Sequence, residues 1–157
     1  MFQVTATSLE SYLRFDPRRR ADLVKLDALI RKGAPKLARH FHEGTPAGEP
    51  GMRMKLIGYG RFRYAVRDQK TTPWPVIGVA LQKNYISVYL SATRGDVPIV
   101  GLYAGTLGET RAGRNNFSFV SFGQLNAARL LEMCREVGEV FAQDPENPVR
   151  YKQARGR

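Results

Sequence analysis

Two apolar runs flank Lys83-Asn84, and they dictate how the middle of the chain pairs. If Lys83 and Asn84 form a two-residue turn, Leu81 meets Ile86, Val79 meets Val88 and Ile77 meets Leu90. Side chains alternate between faces along a strand, so a slip of one residue would turn all six to the other side. Agreement over three rungs therefore specifies the register. The opposite face carries Gly78, Ala80 and Gln82 against Tyr85, Ser87 and Tyr89. A solvated face would carry Lys, Glu and Thr, so this one is expected to be partly covered or to bind something.

Other elements follow around this hairpin. A short helix is expected over Ser8–Arg14, with Thr7 and Glu10 as a capping box. Asp16 as cap, Pro17 in the first helical position and Gly33 before Pro35 delimit a second helix. Its inner face is Leu23, Leu26 and Ile30. Residues Gly44 to Gly51 read as a loop. Met52, Met54 and Leu56 then alternate with Arg53, Lys55 and Ile57; Phe62, Tyr64 and Val66 are expected to face inward, and Gly58-Tyr59-Gly60 reads as the turn between them. That turn would set Lys55 opposite Arg63. A short helix within Val97–Leu107, a strand over Asn116–Phe122 and a helix over Leu125–Phe141 complete the order. The expected architecture is an α+β two-layer sandwich. Its antiparallel sheet has about five strands, with the N- and C-terminal helices on one face. Residues 1–143 form one domain in this reading. After Gln143 the segment DPENPVRYKQARGR is expected to be a mobile basic tail over 144–157.

Charge restricts the partner. The 157 residues carry 25 Lys plus Arg against 14 Asp plus Glu, a net charge of +11. Arginine dominates, and its planar fork suits phosphate and carboxylate. Between Gly44 and Gly123 there are ten basic and four acidic residues. Arg18, Arg19 and Arg20 crowd the start of the second helix, where the helix dipole disfavours cations, and form a secondary basic patch. No apolar run reaches the roughly 18 residues of a membrane span, and the opening residues lack a signal-peptide layout. A single cysteine, Cys134, fits a reducing compartment, so the expected location is the cytoplasm.

Catalytic and metal signals are sparse. His40 and His42 alternate ahead of Glu43 and form a weak metal-binding candidate, with no further His or Cys nearby. Cys134 lies on the apolar stripe of the last helix and reads as buried. Glu132, Glu136 and Glu139 interleave with Arg129 and Arg135 as a charge-laced surface. The glycines at 105, 108 and 113 lack phosphate-loop spacing. No catalytic constellation and no cofactor site are read. What remains is the sheet: Lys55, Arg61 and Arg63 beside Tyr85 and Tyr89 would join cations to aromatic platforms. Such a face holds nucleotides or single-stranded nucleic acid.

The stretches IGYGRFRY, TPWPVIGVALQKNYISVYL and LGETRAGRNNFSF, followed by an amphipathic helix, resemble the YdhG-like family of domains of unknown function. The resemblance spans Leu9 to Phe141 and implies a frataxin-like α+β fold. Some members are described as frataxin-like iron chaperones, which makes iron binding the alternative function. Iron prefers clustered carboxylates. Here the matching helix carries Arg18, Arg19, Arg20, Lys25, Arg31 and Lys32 against Asp16, Asp22 and Asp27. The expectation is therefore a binding domain for an anionic partner, a small metabolite or nucleic acid. A protein-interaction domain is the third reading.

Overall fold

The computed structural model describes residues 2–49 and 51–155. Its helices are α1 (Leu9–Arg14), α2 (Arg20–Gly33), α3 (Ile99–Tyr103), α4 (Ala127–Gln143) and α5 (Asn147–Arg155). Its strands are β1 (Arg39–His42), β2 (Leu56–Ala65), β3 (Thr71–Leu81), β4 (Ile86–Leu90), β5 (Thr93–Arg94), β6 (Val97–Pro98), β7 (Arg111–Ala112) and β8 (Asn116–Phe119). Six strands form one antiparallel sheet in the order β1-β2-β3-β4-β8-β7, and β5 pairs with β6 separately. The α+β class stands, with six strands where about five were expected.

The central hairpin has the register its apolar rungs require: Leu81 opposite Ile86, Val79 opposite Val88 and Ile77 opposite Leu90. Phe117 and Phe119 of β8 extend that face, and all eight residues are buried. Helices α2 and α4 cover it. Leu23, Leu26 and Ile30 of α2 are fully buried, as are Leu130, Met133, Cys134 and Val137 of α4. Gly33 lets the two helices approach: a Cβ there would lie 3.0 Å from Cys134 Cβ. Burial pushes the Cys134 thiol up to about 12, so it is protonated and inert as a nucleophile.

Asp27 ties this helical layer to the sheet. It accepts a hydrogen bond from Tyr59 Oη at 2.6 Å and from Arg39 Nη1 at 2.7 Å, and Arg31 lies 3.6 Å away. Tyr12 of α1 makes a second tie. Its hydroxyl accepts from Leu81 N at 2.8 Å and donates to Lys55 O at 3.0 Å.

Several local expectations are corrected. The cap of α1 is Ser8 with Ser11 at the third position, not Thr7 with Glu10, because two hydroxyls reciprocate the backbone bonds there. Asp16 instead caps the turn ahead of α2, accepting from Arg18 N, and α2 begins at Arg20. Gly58-Tyr59-Gly60 is not a turn but the middle of a ten-residue strand. Arg63 consequently faces Pro73 rather than Lys55, which precedes the strand. Met52 is exposed, and residues 52–55 lie outside any strand. Strand β1 leaves little trace in the sequence, because this edge strand is only partly buried and Arg-His-Phe-His shows little alternation. Within the segment 144–157, expected as a mobile basic tail, Asn147–Arg155 form α5, and residues 156–157 lie outside the described residues. Tyr151 is buried, Val149 packs against the core, and Asn147 clamps Thr93. Pro148 sits in the first helical turn, where a missing N–H costs nothing.

The expected N- and C-terminal helices, α2 and α4, share one face, and α5 is an addition on the other. Lys152 lies over Trp74 and Tyr64, which belong to the register set opposite to Ile77, Val79 and Tyr59. The last helix therefore covers the face away from α2 and α4.

Candidate functional site

The site arises from a sharp bend in the β2–β3 hairpin. His42 pairs with Leu56 on β2, whereas Trp74 pairs with Phe62, six residues further along the same strand. A straight strand would hold those positions roughly 20 Å apart. Their ring centroids are 5.5 Å apart, edge to face. The hairpin therefore folds over onto its own sheet. Three glycines permit it. Gly60 adopts φ +72, which an L side chain rarely takes. Gly58 and Gly78 sit opposite each other and leave the sheet floor bare. His40 occupies the space over Gly58, where a Cβ would come within 2.4 Å of its Nε2.

The fold-over assembles an aromatic cluster. Trp74 makes T-shaped contacts with His42 and, at 6.4 Å, with Tyr89; Phe62 and Tyr64 adjoin at 6.1 Å. Trp74 covers Tyr89 on the tyrosine-bearing face of the central hairpin, and Pro75 and Leu56 lie over Gly78; Gly78, Ala80 and Ser87 are buried there. Polar atoms are trapped there. Among the described residues, six buried side-chain nitrogens or oxygens lack a hydrogen-bond partner. Three are His40 Nε2, His42 Nε2 and Trp74 Nε1; Ser91 Oγ lies two residues beyond Tyr89, and Tyr151 Oη is on α5. Only Arg19 Nε lies elsewhere. Each unpaired buried group costs about 1–3 kcal/mol, so the three on His40, His42 and Trp74 mark this cluster as unusual.

A pocket of about 430 Å3 opens beside this cluster, with His42 in its wall. Thr45, Pro46 and Glu49 line one side, and Arg63, Lys70, Thr71 and Thr72 the other. Arg63 is held in place by donating to Thr71 Oγ1 at 2.9 Å and to Thr71 O at 3.2 Å. Neither Arg63 nor Lys70 has an ion-pair partner among the described residues. Two cations and three hydroxyls against one carboxylate suit an anionic group. His42 enters this pocket neutral. Burial, followed by the charges of His40 and Arg61, lowers it to about 4. Burial also lowers His40, with Arg61 adding to the effect and a bond to Ala38 O opposing it.

A pH prediction follows from the sign of that shift. Above 6.5 His42 is neutral in both folded and unfolded chains. Between 6.5 and about 4 the unfolded chain binds a proton that the folded one refuses, so stability falls as pH falls, and it flattens below about 4. NMR titration of the two histidines beside urea unfolding at pH 7, 5.5 and 4.5 checks both halves. A His42 titrating near 6.5 contradicts the burial described here.

The residues singled out from sequence divide. Arg63 lines the pocket, and Tyr89 belongs to the adjoining cluster. Arg61 is exposed opposite Pro75, close enough to act on both histidines. Lys55 is drawn away, donating from Nζ to Ala6 O at 2.7 Å. Tyr85 is exposed at the far turn. The five therefore do not form the single face expected of them. Nor do the three arginines form a patch of equals. Arg18 makes two bonds to the Asp16 carboxylate and one to Lys83 O, while Arg19 buries its Nε. His40 and His42 share a strand face, but no group of three His, Cys, Asp or Glu converges among the described residues, and Glu43 is exposed. Glu136 is not a free surface carboxylate: it accepts from both ends of Arg94 and from Tyr103 Oη.

Sequence reasoning passed over Trp74, Lys70, Thr71 and Thr72. The one available signal was the lone tryptophan between Pro73 and Pro75, in a strand whose register partners are glycines a few residues on. No family model, curated protein or solved structure matches this chain. No helix among the described residues is long and apolar enough to cross a membrane.

Proposed function

We propose that the chain is a YdhG-like binding domain that takes a small anionic molecule, a phosphate or carboxylate, in the pocket between His42 and the Arg63–Lys70 end of the hairpin. The observation that carries this reading is the pocket's composition. Two cations without an ion pair among the described residues and three threonine hydroxyls surround a space bounded by a neutral, buried imidazole. Fixed hydrogen-bond donors around a half-dry cavity are what a small anion requires. The volume suits a small molecule better than a nucleic-acid strand, which needs an extended cationic groove.

The test uses Trp74, the sole tryptophan, as the reporter. At constant ionic strength, inorganic phosphate should change its emission along a saturable curve. An Arg63→Ala/Lys70→Ala double variant should bind at least tenfold more weakly. A response equal in both proteins excludes the pocket. Tight binding of a single-stranded oligonucleotide with no response to phosphate overturns the small-molecule reading.

A further inference from the structure

The geometry points to a zwitterion, an ammonium group joined to a phosphate or carboxylate, as the ligand class of this site, with the chain's own Lys152 standing where the ligand's ammonium goes. This inference rests on the anion-binding reading above and extends it across the bend to the aromatic cluster.

The ammonium of Lys152 lies 4.9 Å from the centroid of Trp74 and 5.6 Å from that of Tyr64. Ring faces attract cations through their quadrupole, tryptophan most strongly, and paired aromatic walls are how proteins select ammonium groups. This cage adjoins the anion pocket through two shared residues. Thr72 lines the pocket and pairs across the hairpin with Tyr64. His42 lines the pocket and touches Trp74. A cation subsite and an anion subsite thus lie side by side. The overall charge explains why a bare cation is the wrong guest. A net charge of +11 repels it at long range, whereas a zwitterion carries its own compensating anion.

Entry requires α5 to lift from its contacts with Thr93, Arg114, Tyr64 and Trp74. The Asn147 amide clamps Thr93 through three hydrogen bonds of 3.0–3.2 Å, and Val149 and Tyr151 supply the apolar contact. Against this, closure leaves Trp74 Nε1 and Tyr151 Oη buried without partners. A helix that closes over unsatisfied buried groups regains hydrogen bonds for them when it opens, and binding covers are drawn from such elements.

The experiment follows Trp74 emission in the full chain at constant ionic strength, with phosphocholine, inorganic phosphate and tetramethylammonium as probes. Lys152→Gln removes the internal ammonium, and Lys152→Ala provides the same comparison if the first variant loses its circular dichroism. Phosphocholine is expected to bind the variant at least tenfold more tightly than wild type, while phosphate binds both within about twofold. Adding Tyr64→Leu should weaken phosphocholine binding several-fold while leaving phosphate binding unchanged, since Trp74 remains as the other wall. Equal affinity of phosphocholine for wild type and variant overturns the role of Lys152. Phosphocholine binding no tighter than phosphate overturns the ammonium subsite and leaves the anion reading intact. Failure of phosphate and phosphocholine alike, in every protein, overturns both.

Discussion

Replacing Asp27 by alanine is expected to lower the free energy of unfolding by about 3 kcal/mol, the low end of what is lost when one member of a buried charged network is removed. The loss comes from what remains. Tyr59 is fully buried, and its hydroxyl has Asp27 as its hydrogen-bond acceptor at 2.6 Å. Burial and the neighbouring carboxylate hold that phenol well above its ordinary range, so it stays protonated and must donate. Arg39 would lose its partner at the same time. Asp27→Asn keeps an acceptor for Tyr59 and should cost about half as much. Urea unfolding of the two variants checks the order; equal losses would show that the ionic contact to Arg39 dominates.

The second large effect is at the bend. Gly60→Val should destabilise the chain by about 3 kcal/mol, combining left-handed strain in a β-branched residue with a collision. A Cβ at position 60 would lie 2.9 Å from Leu37 Cδ2 and 3.1 Å from Val76 Cγ2. Both neighbours are buried and cannot retreat without moving the core. The specific signature is spectroscopic. If the hairpin cannot fold over, Trp74 leaves His42 and Tyr89, and its emission shifts to the red in the folded variant. A variant that is destabilised but keeps blue emission would show that the bend does not depend on Gly60.

These two positions also show what the sequence could and could not convey. The register of β3 with β4 was legible because three opposed apolar pairs leave no other alignment with a clean core face. The covered character of the other face was legible too, since Gly78, Ala80 and Ser87 offer nothing to solvent. What covers it was not. His40 covers Gly58, Leu56 and Pro75 cover Gly78, and Trp74 covers Tyr89, returned by a bend whose local signal, Gly-Tyr-Gly, has the composition of a turn. Glycine density reports conformational freedom, but a tight turn and a folded strand spend that freedom alike. Helix α5 was illegible for a different reason. Its composition is polar, and it is held by Asn147, Tyr151 and Lys152 against partners far away in the chain. Candidate cations were found as residue types, yet only Arg63 reached the pocket. The others were claimed by Ala6 O, by Asp16 or by solvent.

We propose a small anion bound beside His42 and Trp74, not on the basic helix α2. The most direct measurement follows the ring protons of His42 and the indole N–H proton of Trp74 by NMR while inorganic phosphate is added at constant ionic strength. Both should move along one saturable curve, together with the amides of Thr71 and Thr72. Shifts confined to the amides around Arg18–Arg20 or Lys32–Lys36, with His42 and Trp74 unmoved, would contradict it.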